Sequence, residues 1–236
     1  MQTFMIDFLA RAKKLACGAS AVVFAVILAS VNPSAYASEA SAARLDFDKV
    51  FNADGAAPSM HFRAAYVSAG TTHQLEVWRD HEIRLRRRTD DAVETFVNRS
   101  ANDPEWRMAV LDLRRKIRTD VDRTNLYRVG HFVDWFGMGH GLTRPSGPYE
   151  LRQTAALRSV GPAIADCRWY RLSNQDKDSR ICWSRAMGLP LLIATPDGRV
   201  QWRVLEADSR PATSETFQIH DEGFARNNAN ADINTD

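Results

Sequence analysis

Residues 62–97 read FRAAYVSAGTTHQLEVWRDHEIRLRRRTDDAVETFV, and their alternation decides the fold. Phe62, Ala64 and Tyr66 alternate with Arg63, Ala65 and Val67, and Leu75 and Val77 with Gln74, Glu76 and Trp78. Ile83 and Leu85 oppose Glu82, Arg84 and Arg86, and Val93, Thr95 and Val97 share a further face. A period of two residues is the signature of a half-buried strand. The breaks, Ser68-Ala69-Gly70, Arg79-Asp80-His81 and Thr89-Asp90-Asp91, are too short for helical crossovers and predict antiparallel hairpins.

Working outward, the alternation continues through Met108, Val110, Ile117 and Thr119, so residues 60–121 predict a meander of about six strands. At 125–140 (NLYRVGHFVDWFGMGH) the period changes. Leu126, Val129, Phe132, Val133 and Phe136 follow helical spacing, although Gly130 and Gly137 weaken it. Strands resume at 149–154, 167–172, 181–184, 189–194 and 200–205, with Pro196-Asp197-Gly198 as the last hairpin turn. Phe217 and Ile219 suggest a final short strand, and a polar tail follows at 226–236. Upstream, 38–51 reads as a short helix with Leu45, Phe47 and Val50 on one side. The fold class is mainly β (α+β): a curved antiparallel sheet or half-barrel capped by a helix at about 125–140. Such a trough suits an apolar ligand, provided Val77, Leu85 and Val110 do not fill it.

The first 37 residues carry export signals. Arg11, Lys13 and Lys14 precede a charge-free run from Leu15 to Val31, Pro33 follows, and Ala35-Tyr36-Ala37 offers small residues at −3 and −1. We therefore expect cleavage after Ala37, a single periplasmic domain over 38–225 and no permanent membrane anchor. Leu15-Ala16-Cys17 is no lipobox, because the apolar run follows the cysteine. The leader holds three of the 31 basic and one of the 29 acidic residues, so 28 of each sign remain. A neutral chain gives no support to nucleic-acid binding. Of three cysteines only Cys167 and Cys182 remain, and in an oxidising compartment they predict a disulfide.

The hairpins Phe62–Val67, Leu75–Arg79 and Ile83–Arg88 resemble the half-barrel of the LolA-like and LppX-like periplasmic lipoprotein carriers, a superfamily that includes the RseB amino-terminal domain. Ile181-Cys182-Trp183-Ser184, Gly188-Leu189-Pro190-Leu191 and the Asp197-Gly198 hairpin are similar to its second half, so the resemblance covers about 60–220. The density of arginines and the 123–145 insert depart from the carriers. The resemblance implies binding of a lipid or other apolar molecule, or engagement of another envelope protein.

Candidate ligand contacts are Trp78, Arg84, Arg86, Arg88, Phe132, Phe136, Trp183 and Trp202. Arg84, Arg86 and Arg88 share a strand face, either contacting a headgroup or paired with Glu82, Asp90 and Glu94, while Arg87 joins Ile83 and Leu85. Trp169, Tyr170, Trp183 and Trp202 cluster around the expected disulfide, as core or as pocket wall. His131 and His140, with Asp134 between them, are the residues a metal- or haem-dependent enzyme would use. A continuous helix turns them to nearly opposite faces. Neither CxxCH, HExxH nor GxSxG occurs, and Ser184 lacks a glycine elbow, so no cofactor or catalytic residue is assigned and a non-enzymatic role is the leading expectation.

Overall fold

The computed structural model describes residues 44–99, 106–122, 125, 134–157, 166–175 and 177–229, all within one compact unit spanning 40–236. The expected leader and residues 126–133, with Phe132 and His131, lie outside the described residues. Among the described residues no helix is long and apolar enough to cross a membrane.

Six strands form the expected meander: β1 (Ser59–Ser68), β2 (Thr71–Asp80), β3 (Arg84–Thr89), β4 (Val93–Arg99), β5 (Trp106–Asp112) and β6 (Ile117–Asp122). Ser68 pairs with Thr71, so Ala69-Gly70 is a two-residue loop. Both of its residues have positive φ, at 48° and 78°, as a type I′ turn needs. The second run comprises β7 (Tyr149–Gln153), β8 (Arg168–Asn174), β9 (Lys177–Ser184), β10 (Leu189–Ala194) and β11 (Val200–Asp208). Pro190 is tolerated in β10 because the register with β9 shifts between Pro190 and Leu192. The two runs merge where β11 pairs antiparallel with β1, giving one open sheet ordered β12-β6-β5-β4-β3-β2-β1-β11-β10-β9-β8-β7.

The carboxyl-terminal stretch differs from expectation. Ser214–Phe217 is a 3₁₀ turn rather than a strand. Its Phe217 ring lies under the Arg84 guanidinium at 4.6 Å, and Ile219 and Phe224 pack beneath Phe96, Ala109 and Leu111. Ala225–Asn228 then forms β12, parallel to β6, so residues 226–228 of the expected tail are sheet. Unpaired backbone on the β6 edge supplies the reason, and it does not depend on apolar side chains.

Among the described residues, two short helices cover the other face. α1 (Phe47–Val50) is one turn, capped by Asp46, and packs Phe47 and Phe51 with Leu151, Tyr170, Ile181 and Trp183. The second, α2 (Trp135–His140), begins at Asp134, whose carboxylate accepts from Phe136 N at 3.0 Å. It ends at Gly141 in the left-handed region. Trp135 and Met138 join the larger core, made by Met60, Phe62, Val77, Leu85, Val97 and Met108. Phe136 packs into the smaller one.

Candidate functional site

Cross-strand register builds the wall beneath α2. Phe62, Val77, Arg87, Thr95 and Val110 form one row across β1 to β5. The row before it holds Met60, Arg79, Leu85, Val97 and Met108, and the row after it Ala64, Leu75, Thr89 and Val93. Residues at period two share a face, so all three rows look towards α2.

Part of this face, around Val77 and Leu85, is solid. Val77 and Leu85 are fully buried, and α2 presses so close that a Cβ on Gly139 would stand 3.2 Å from Leu85. Beyond them the face opens into a cavity of about 770 Å³, whose wall includes Leu75, Arg87, Thr95, Met108, Val110 and Met138. Tyr66 of β1 and Trp202 of β11 extend it, so six strands contribute to one hollow. Laid flat, six strands span about 24 Å. The sheet therefore bends around a six-residue helix. Val110 borders this cavity while Val77 and Leu85 do not, so this part of the trough is open where the part around Val77 and Leu85 is filled. The volume lies within the roughly 300–1,000 Å³ of small-molecule sites.

Trp202 is fixed by its indole N–H, which donates to Pro190 O at 2.7 Å, and by Gly141, whose backbone passes flat against the ring. A Cβ at Gly141 would lie 2.6 Å from that ring.

Of the candidate contacts, Trp202 borders the cavity. The arginines on even positions occupy the opposite face. Arg84 bonds Asp80, Arg86 reaches Glu94 at 2.6 Å and Thr216 O at 3.1 Å, and Arg88 pairs with Asp91 at 2.9 Å. Trp78 lies with them, 4.7 Å from the Arg86 guanidinium and stacked on His61. Phe136 and Trp183 meet inside the smaller core, 6.1 Å apart. Strand alternation divides the four aromatics expected together: Trp169 joins Cys182 and Leu192 on the outer face, and Tyr170 and Trp183 turn inward. The disulfide Cys167–Cys182 forms there, with Cα atoms 5.4 Å apart.

Arg87, passed over by sequence reasoning, is the charged member of the inner row. Among the described residues it has no hydrogen bond and no ion pair, although part of its surface faces the cavity. Burial pulls its pKa below the ordinary guanidinium value, with a small opposing effect from Tyr66. Asp134, the other charged group at the cavity, is held at the start of α2, and burial raises its carboxyl pKa. Parity with Ile83 and Leu85 was the signal that marked Arg87 as inward.

His140 is fully buried. Its Nδ1 lies 2.6 Å from Gly188 O, and Arg79 Nη1 sits against the ring, in contact with Nδ1 and 2.9 Å from Nε2. Arg79, also buried, donates a second bond to Met187 O at 3.0 Å. Burial, reinforced by the Arg79 charge, pushes the His140 pKa down to about 3, and burial lowers that of Arg79 to about 10. The imidazole is neutral and both of its nitrogens are engaged. No group of three potential metal ligands occurs among the described residues.

No family model matches the chain, and no curated protein is similar to it. Among solved structures it is similar to MucB, at 15% identity and a TM-score of 0.37, over 71% of this chain and 60% of that one. It is also similar to MucB in complex with MucA(peri), at 15% identity and a TM-score of 0.35, over 70% of this chain and 55% of that one. The match thus spans less than two thirds of the length of each of these MucB chains.

Proposed function

We propose that this protein is exported to the periplasm and, without catalysing a reaction, binds a lipid or other apolar molecule between the sheet and α2. The observation that carries the reading is the hollow of about 770 Å³ beside Leu75, Met108, Val110, Met138 and Trp202, on the face where Val77 and Leu85 are packed solid. An apolar chain lying there gains dispersion contacts from Leu75, Met108, Val110 and Met138. The rival uses of the candidate residues are less favoured. Arg84, Arg86 and Arg88, considered for a headgroup, are paired with carboxylates of this chain on the opposite face, and His140, considered for a metal, is engaged by Gly188 and Arg79.

Native mass spectrometry of the protein extracted from the periplasm of its own cells tests this directly. The expected spectrum shows a chain beginning at Ser38, with one oxidised cysteine pair and an apolar molecule removable by organic solvent. A chain that is consistently empty argues against the binding role, and retention of residues 1–37 argues against cleavage.

A further inference from the structure

Arg87 differs from every neighbouring arginine. Arg84, Arg86 and Arg88 each meet a carboxylate on the outer face, whereas Arg87, between Val77 and Thr95 on the inner face, meets none among the described residues. It lies deep in the protein, yet part of its surface is open to the cavity. The Asp134 carboxylate, also at the cavity, is turned to Phe136 N and exerts no resolved effect on Arg87. A guanidinium stays protonated and can only donate, so its five N–H groups require an acceptor. Half-buried among apolar side chains, the charge attracts an anion entering the cavity. Tyr66, Thr89 and Thr95, which carry hydroxyl donors, border the same hollow. Around them Leu75, Val110 and Met138 supply an apolar wall.

We propose that Arg87 is the headgroup anchor of this cavity, and that its ligand is a single-headed anionic amphiphile, a carboxylate or phosphate monoester carried on an apolar chain. The inference rests on the cavity being a binding site and narrows what it accepts. Guanidinium matches both headgroups through paired N–H donors, so the tail fills the hollow while the head neutralises Arg87.

The test uses the mature protein with hexadecanoate, hexadecyl phosphate and methyl hexadecanoate, each titrated below its micelle concentration and followed by tryptophan emission. At least one anion is expected to bind about tenfold or more tightly than the neutral ester, the equivalent of one charge-assisted contact. Whether hexadecanoate or hexadecyl phosphate leads identifies the headgroup. Arg87→Met should erase the preference without weakening the ester, and Arg87→Lys should retain part of it; circular dichroism confirms that both variants are folded. Equal binding of all three probes, or a preference that survives in Arg87→Met, overturns the anchor and leaves the apolar cavity standing. Failure of all three to bind overturns the cavity reading itself, and the anchor with it.

Discussion

Acidification should destabilise this protein through His140 well before its carboxylates respond. The imidazole is fully buried and its folded pKa is about 3, against an ordinary value of 6.5. Between those values the unfolded chain binds a proton that the folded chain refuses, so stability present above the unfolded value is lost as pH falls towards the folded one. Each pH unit in that window costs about 1.4 kcal/mol, hence about 3 kcal/mol from neutrality to pH ~4.5. Arg79, kept charged with the help of Glu82, repels an imidazolium and adds to the effect of burial, while the hydrogen bond to Gly188 O opposes both. Asp90, Asp112, Asp197, Asp208 and Asp221 have lowered pKa values, so their contribution is lost only as pH falls through the carboxylate range. Asp134, with a raised pKa, acts in the opposite sense. His140→Asn isolates the imidazole, because its amide N–H superimposes on Nδ1–H and keeps the bond to Gly188 O. Losing the acceptor for Arg79 should cost about 1–3 kcal/mol at neutral pH. Urea unfolding of both proteins at neutrality and at pH ~4.5, followed by tryptophan emission, is the assay. The wild type should lose about 3 kcal/mol more than the variant on acidification. Parallel losses, within about 1 kcal/mol of each other, would refute a buried neutral His140.

Gly141→Ala places a Cβ against the Trp202 ring at a residue with φ of 70°. Strain and overpacking together should cost about 2–5 kcal/mol in denaturant titration and shift tryptophan emission. Replacing Cys167 and Cys182 with serine removes a crosslink between residues 15 apart, for about 3 kcal/mol of stability. Ligand affinity should stay unchanged, because the disulfide packs on the outer face with Trp169 and Leu192. Arg86→Met leaves Glu94, which is 8% exposed, only the longer contact with Arg88 at 3.7 Å, and should cost about 2 kcal/mol in thermal unfolding. Titration of hexadecanoate into this variant should give the wild-type affinity, in contrast to Arg87→Met.

Much of the sheet is legible because alternation and turn chemistry are local. Leu75 and Val77 declare a face, and Ala69-Gly70 declares a hairpin, within a few residues of each other. The join of β1 to β11 is a different matter. Tyr66 meets Trp202 across 136 positions of sequence, and periodicity fixes which face a residue takes without fixing its neighbour. β12 escaped for a related reason: Ala225–Asn228 has no apolar alternation, and backbone pairing leaves no pattern in side chains. The arginine run shows how a site is missed. Charge drew attention to Arg84, Arg86 and Arg88, yet these find carboxylates, while Arg87, in register with Leu85, enters the hollow. Only the packing of Gly139 and Gly141 against Leu85 and Trp202 settles which part of the trough is closed and which is open.

Quenching of Trp202 by a bromine-labelled chain probes the central claim most directly, because that ring borders the cavity. Methyl octadecanoate brominated along its chain should quench emission saturably in the wild type. Most of that quenching should vanish in Trp202→Phe, which keeps the wall apolar. Absent quenching, a response that never saturates, or equal quenching in both proteins would contradict an acyl-accepting hollow between the sheet and α2.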